Sequence, residues 1–186
     1  MENKNQYYEL TEQQMLQLWK EEHHLEQTRH DCVVERTDGI DLDAWLTMQV
    51  REWYGHLLET AAVEWLPVED VTNGVRMSVD SEGVVTASVP VECVRPVEWQ
   101  LDGWSHSVTH FVESGSVEAE VQQSVWTRGS KEHPAVVDCG SSLILYSLAA
   151  GERAVLRKAR CVVRPADGTY KFHYAALRTI REFPLV

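Results

Sequence analysis

The sequence predicts an α+β fold: N-terminal helices followed by a largely antiparallel β-sheet, with a short C-terminal helix. Three observations carry this expectation. Apolar residues recur at helical spacing as far as Pro67. From Val75 onward the period becomes alternation, punctuated by glycine-containing turns. Helices come first and strands afterwards, which is the order of an α+β chain and not of a parallel βαβ array. At 186 residues the chain suits a single domain, with residues 1–70 as its helical part and 71–186 as its mainly β part.

Taken in order, Thr11-Glu12-Gln13-Gln14 has the form of a capping box, in which Thr11 accepts from the third helical amide and Gln14 reaches back. It opens an amphipathic helix expected over residues 12–30, with Met15, Leu18, Trp19 and Leu25 on the apolar stripe. Cys32-Val33-Val34 reads as a short extended piece and Thr37-Asp38-Gly39 as a turn. A second helix is capped by Asp41 or Asp43, whose charge suits the positive end of the helix dipole. Leu46, Val50, Trp53, Tyr54, Leu57, Leu58, Ala61 and Ala62 form its core face, and Pro67 stops it.

Val75–Val79 and Val84–Val89 flank the turn Asp80-Ser81-Glu82-Gly83, which makes a hairpin. Cys93–Leu101 extends again, with Pro96 confining it to an edge or a bulged strand. Asp102-Gly103 turns the chain, and Trp104–Val112 is expected as the next strand. Ser116 caps a short helix to Gln123, and Thr127–Pro134 is a polar loop. Strands follow over Ala135–Cys139, Ser142–Leu148 and Ala154–Val163, joined by turns at Gly140 and Gly151. After the turn at Asp167-Gly168, Tyr170–Ile180 is expected as the C-terminal helix.

A net charge of −12 disfavours a protein that grips nucleic-acid phosphates. The charge is uneven: residues 1–70 carry −11, 71–150 carry −6 and 151–186 carry +5. An acidic front facing a basic back implies either pairing within the chain or head-to-tail pairing between copies. The first fourteen residues lack an apolar h-region, so no secretory signal is expected. No apolar run reaches the length of a membrane span. Cys32, Cys93, Cys139 and Cys161 form no C-x-x-C, so free and mostly buried thiols of an intracellular chain are expected.

The candidates for chemistry are sparse. His106 and His110 stand four apart, a zinc spacing on a helix, but on a strand they lie roughly 13 Å apart. His23 and His30 would share an ion only with difficulty across two helical turns. Nucleophile-elbow, phosphate-loop and dinucleotide motifs are missing. Helix capping explains the acid pair Asp41/Asp43, and an exposed loop explains Glu69/Asp70. No catalytic residue, metal site or cofactor is therefore expected. Among the tryptophans, Trp19 and Trp53 belong to the core, while Trp65, Trp104 and Trp126 sit at element ends as core lids or partner anchors. A carbohydrate-type binding face built on those three, or a hydrolase using Asp or His, stands as an alternative function.

Val89-Pro90-Val91-Glu92-Cys93-Val94-Arg95, followed by Val97–Trp104, resembles the middle of the tailed-bacteriophage head-to-tail connector family, the adaptors like tubular tail protein A. There a helical part precedes a P-x-[DE]-x-x-R segment, a strand and a Gly-Trp pair that opens the next strand. Ser107-Val108-Thr109, Trp126-Thr127-Arg128-Gly129, Pro134–Val137 and Leu143–Ser147 continue the likeness, which spans residues 40–165. Cys93 stands where a bulky apolar residue is usual, and the segment after Gly168 is shorter than the family's C-terminal helix. The resemblance implies a non-enzymatic virion protein, present in the bacterial cytoplasm during assembly. It implies a homo-oligomeric ring between portal and tail proteins that extends the DNA channel without specific nucleic-acid binding or a membrane. Contacts with partners are expected at Trp104, at Arg128 and Lys131 in the central loop, and at Arg178, Arg181 and Phe183 in the tail.

Overall fold

The computed structural model describes residues 7–25 and 41–184. The chain runs β1 (Tyr7–Thr11), α1 (Glu12–Glu22), α2 (Leu42–Thr60) and β2 (Val68–Asp70). β3 (Arg76–Val79), β4 (Val84–Ser88), β5 (Cys93–Leu101), β6 (Val112–Glu113) and α3 (Val117–Val121) follow. It ends with β7 (Ala135–Asp138), β8 (Ser142–Tyr146), β9 (Leu156–Val163), β10 (Thr169–His173) and α4 (Leu177–Glu182). Helices and antiparallel or mixed sheets are both present, with a short C-terminal helix, so the fold is α+β as expected. No described helix is long and apolar enough to cross a membrane. The described residues fall into two compact units, one reaching to Pro67 and resuming at Arg164, the other spanning Val68–Val163.

In the first unit the capping box is complete. The Gln14 amide donates to Thr11 Oγ1 at 3.3 Å, and the Thr11 amide donates to Gln14 Oε1 at 2.9 Å. α1 ends at Glu22, earlier than residue 30, because a turn takes over at His23 and His24 adopts a left-handed φ of 56°. The extended piece at Cys32 and the turn at Thr37 lie outside the described residues, as does His30. Asp41 supplies the cap of α2 by accepting from the Asp43 and Ala44 amides. Asp43 instead pairs with Lys20 at 2.7 Å. α2 ends at Thr60, and a 3-10 turn at Val63–Trp65 intervenes before Pro67.

β1 and β10 pair antiparallel, Tyr7 opposite His173 and Thr11 opposite Thr169. The helix expected over Tyr170–Ile180 is a strand in its first part, β10 reaching to His173. Tyr170 and Phe172 alternate inward in Thr-Tyr-Lys-Phe-His, so the period there is two, and only Leu177–Glu182 coil as α4. Burying those two rings builds an aromatic lattice on α2. Trp53 meets Phe172 edge-on at 5.4 Å, Tyr54 meets Tyr170 at 5.0 Å, and Trp19 meets Trp53 at 5.8 Å.

The second unit contains two sheets, in the orders β2-β9-β5 and β3-β4-β8-β7-β6. Trp99, Leu101, Ala159, Cys161 and Val163 of the first sheet share one core with Val85, Ala87, Val136, Leu143 and Leu145 of the second. The hairpin forms as expected, and its turn needs glycine. Gly83 has φ +86°, and a Cβ there would lie 2.5 Å from the Leu148 carbonyl. β5 is both an edge and a bulged strand around Pro96, with register shifts on either side of it.

Trp104–Val112 does not form the strand its sequence suggests. The segment bridges once to β5, through Val108 and Trp99, and then joins the other sheet as β6 beside β7. A chain crossing between two sheets cannot continue the ladder of either. The β6–β7 pair is parallel, whereas the other strand pairs described are antiparallel.

Candidate functional site

The outer face of the five-stranded sheet is covered only in part. Val112, Val137 and Tyr146 turn outward there, and α3 lays Ala119 against them. Ser116 caps α3 by accepting from the Ala119 amide at 3.2 Å. With five residues, the helix has no stability of its own and depends on that contact. The other apolar residues of α3 and of the turn after it are exposed. Val117 is 75 % exposed, Val121 44 %, Val125 66 % and Trp126 94 %.

The turn that carries Val125 and Trp126 is firmly held. Thr127 Oγ1 donates to the Val121 carbonyl at 2.6 Å, and the Gly129 amide donates to Gln122 Oε1 at 2.8 Å. Gly129 passes so close to the sheet that a Cβ would lie 2.5 Å from the Tyr146 carbonyl. Arg128 reaches back to the β3–β4 turn, donating to the Glu82 carbonyl at 3.3 Å and to its carboxylate at 3.2 Å. Its side chain is largely covered, so Arg128 positions the loop instead of presenting a free cation. The result is an apolar ridge on a braced base, with Val117, Val121, Val125 and Trp126 all exposed along it. Glu113, Glu118 and Glu120 stand exposed around it.

The other expected contact residues are also engaged within their own unit. Trp104 is buried, and its Nε1–H donates to Ser147 Oγ at 2.7 Å, so it is a core lid. Lys131 pairs with Glu152 at 2.8 Å, and its carbonyl accepts from the Ser105 amide next to Trp104. In the first unit the Arg178 guanidinium lies over the Trp65 ring at 4.9 Å. Arg181 donates to the Glu22 carboxylate, which joins the basic end of the chain to its acidic beginning. Phe183 is half-buried, edge-on to Trp19. It lines an apolar groove of about 410 Å³ with Trp53, Leu57 and Trp65. The tail residues thus cluster together, as do Trp104 and Lys131.

A second cleft in that unit, about 310 Å³, is lined by Arg51, Tyr54, Arg164, Asp167 and Tyr170. Arg51 is held there by Glu12 at 2.6 Å. Burial pushes the Tyr54 phenol up to about 12. In the second unit Glu98 is held below the ordinary carboxylate range by Lys158, with Arg160 also paired to it. Cys93 and Cys161 share a thiol hydrogen bond that, together with burial, raises Cys93. Cys139, by contrast, is exposed. His106 bonds Ser105 Oγ through Nδ1, and His110 points at Glu118 across 4.0 Å. Among the described residues no cluster of three or more His, Cys, Asp or Glu side chains could hold a metal ion.

The ridge contains only one residue that the sequence singled out, Trp126. The signal for the rest was present, because Val117, Val121 and Val125 repeat every four residues. Compared with models of known families, with curated proteins and with solved structures, the chain matches none of them.

Proposed function

We propose that this chain is a non-catalytic structural protein, a ring-forming head-to-tail connector that joins portal and tail proteins of a bacteriophage and extends the DNA channel. The observation that carries the assembly role is the ridge of Val117, Val121, Val125 and Trp126, apolar groups left exposed on a braced loop. An exposed tryptophan on a rigid base is the usual anchor of a protein contact. The connector identity draws on the likeness of residues 89–104 to that family. The overall charge of −12 suits a channel wall, because an acidic lining repels DNA and leaves it free to slide. The protein works in the virion and passes through the bacterial cytoplasm during assembly.

The test is particle size. Sedimentation and electron microscopy of the purified protein, alone and mixed with a phage portal protein, are expected to reveal rings. Monomer in both conditions, or a gene neighbourhood without portal, capsid and terminase genes, rejects the reading.

A further inference from the structure

The ridge and one other patch of the second unit are complementary in both apolarity and charge. Around the ridge stand Glu113, Glu118 and Glu120, with Asp138 opposite Glu113 on β7 and the His110 ring 4.0 Å from Glu118, while Arg128 at the base of the ridge is already paired with Glu82. A surface that covers the ridge must therefore present apolar atoms in its middle and cations at its margin.

Arg153, Val155 and Arg157 meet that description. Exposure alternates along residues 153–157, so these three are the exposed ones of the segment that enters β9, Val155 by 50 %. The Asp102 amide donates to the Val155 carbonyl at 2.8 Å, which fixes this strip against β5. Among the described residues neither arginine has an ion-pair or hydrogen-bond partner, unlike Arg128, Lys131, Lys158 and Arg160 in the same unit. Three other exposed apolar groups would bring acid against acid: Leu42 lies between Asp41 and Asp43, Val79 precedes Asp80, and Val91 precedes Glu92. Among the described residues, Val155 is the exposed large apolar group with an arginine two places away on each side.

We propose that the Val117–Trp126 ridge docks on the Arg153–Val155–Arg157 strip of a second copy of this chain. The ridge sits on the five-stranded sheet, whereas the strip leads into β9 of the three-stranded sheet. Two different patches meeting between copies make a heterologous contact, which propagates head to tail and closes into a ring if the rotation permits. The inference rests on the self-assembly part of the reading above and adds the two surfaces. Apolar burial around Trp126 supplies the affinity, while the acid–arginine margin sets the register and steers the encounter.

Photocrosslinking tests it directly. A benzophenone amino acid replaces Val121 in one isotopically light sample, which is mixed with heavy wild-type protein and irradiated. The expected product is a light–heavy link into residues 152–158. In parallel, Glu118→Lys with Glu120→Lys is expected to weaken association about tenfold, and adding Arg153→Glu with Arg157→Glu restores it. All four side chains are exposed, and circular dichroism verifies that the variants fold. Association with links from Val121 back to a partner's own ridge, or to any other segment, overturns the strip and leaves the assembly role standing. A wild-type chain that stays monomeric alone and with portal overturns both.

Discussion

α2 and α3 both carry apolar residues at helical spacing, yet one stripe faces inward and the other outward. α2 has 19 residues, and Leu46, Val50, Trp53, Tyr54, Leu57 and Leu58 are all buried. α3 has five, and it buries Ala119 alone. Periodicity shows only that a helix has two faces; what covers the apolar one depends on contacts elsewhere in the chain. For α2 the cover is β10, whose rings interlock with Trp53 and Tyr54. For α3 the sheet takes one small side chain and leaves two valines in water, with Val125 and Trp126 of the following turn beside them. The contrast separates residues that hold the fold from residues available for assembly, and substitutions on the two helices should separate the same way.

The largest effect belongs to Trp53→Ala. The ring is enclosed, touches Trp19 and Phe172, and donates from Nε1 to Thr179 at 3.0 Å. Truncation is expected to cost about 3–5 kcal/mol, read as a lowered urea midpoint. A loss below about 1 kcal/mol would mean that the α2 stripe is not a core and would erase the contrast with α3.

Tyr54→Phe gives a smaller and more specific effect. The Tyr54 hydroxyl donates to the Lys171 carbonyl and accepts from the Lys171 amide, both at 3.0 Å. It therefore satisfies the backbone of β10 at the edge that β1 does not cover. Removing it strands both groups, at a cost of about 1–3 kcal/mol near neutral pH. The phenol also makes stability depend on pH. Its folded pKa lies near 12, above the ordinary value of 10, so the fold favours the protonated form. That contribution is fully present below pH 10 and is lost as pH rises toward 12. Alkaline melts are therefore expected to converge for wild type and Tyr54→Phe across this window. Parallel curves would show that the buried hydroxyl is not the titrating group.

How far these features could be read from the sequence follows from the range of the interactions. The capping box at Thr11, the Asp41 cap, the β3–β4 hairpin and the bulged edge at Pro96 are decided within a few residues, and the sequence displays them. Tyr170–His173 reads as helical because its apolar residues run on into Ala176 and Ile180; the pairing of this segment with β1, more than 150 residues earlier, makes it a strand. Residues 104–112 have strand composition, but they cross between sheets. Cations and aromatics on loops and termini are the contacts a sequence offers. Most proved to be engaged nearby, Arg128 with Glu82 and Arg181 with Glu22 among them, because ion pairing between distant segments is not written locally. Val117 and Val121 were legible as one face of a helix and illegible as an outward one.

The smallest expected effect on stability is the most telling for function. Trp126→Ser removes a ring that is 94 % exposed, so the folded chain loses almost no buried surface. The backbone of that turn is held by Thr127, Arg128 and Gly129, none of which the substitution touches. The melting midpoint should thus move by less than the equivalent of about 0.5 kcal/mol. Association should nevertheless fall, since an interface loses most when a central aromatic anchor is removed, typically about 2 kcal/mol or more. Sedimentation of wild type and variant at matched concentration measures it. A variant with unchanged stability and weakened assembly places Trp126 outside the fold and inside a contact. Unchanged assembly would make the ridge ordinary surface, and destabilisation would mean that α3 packs more like α2 than its exposure indicates.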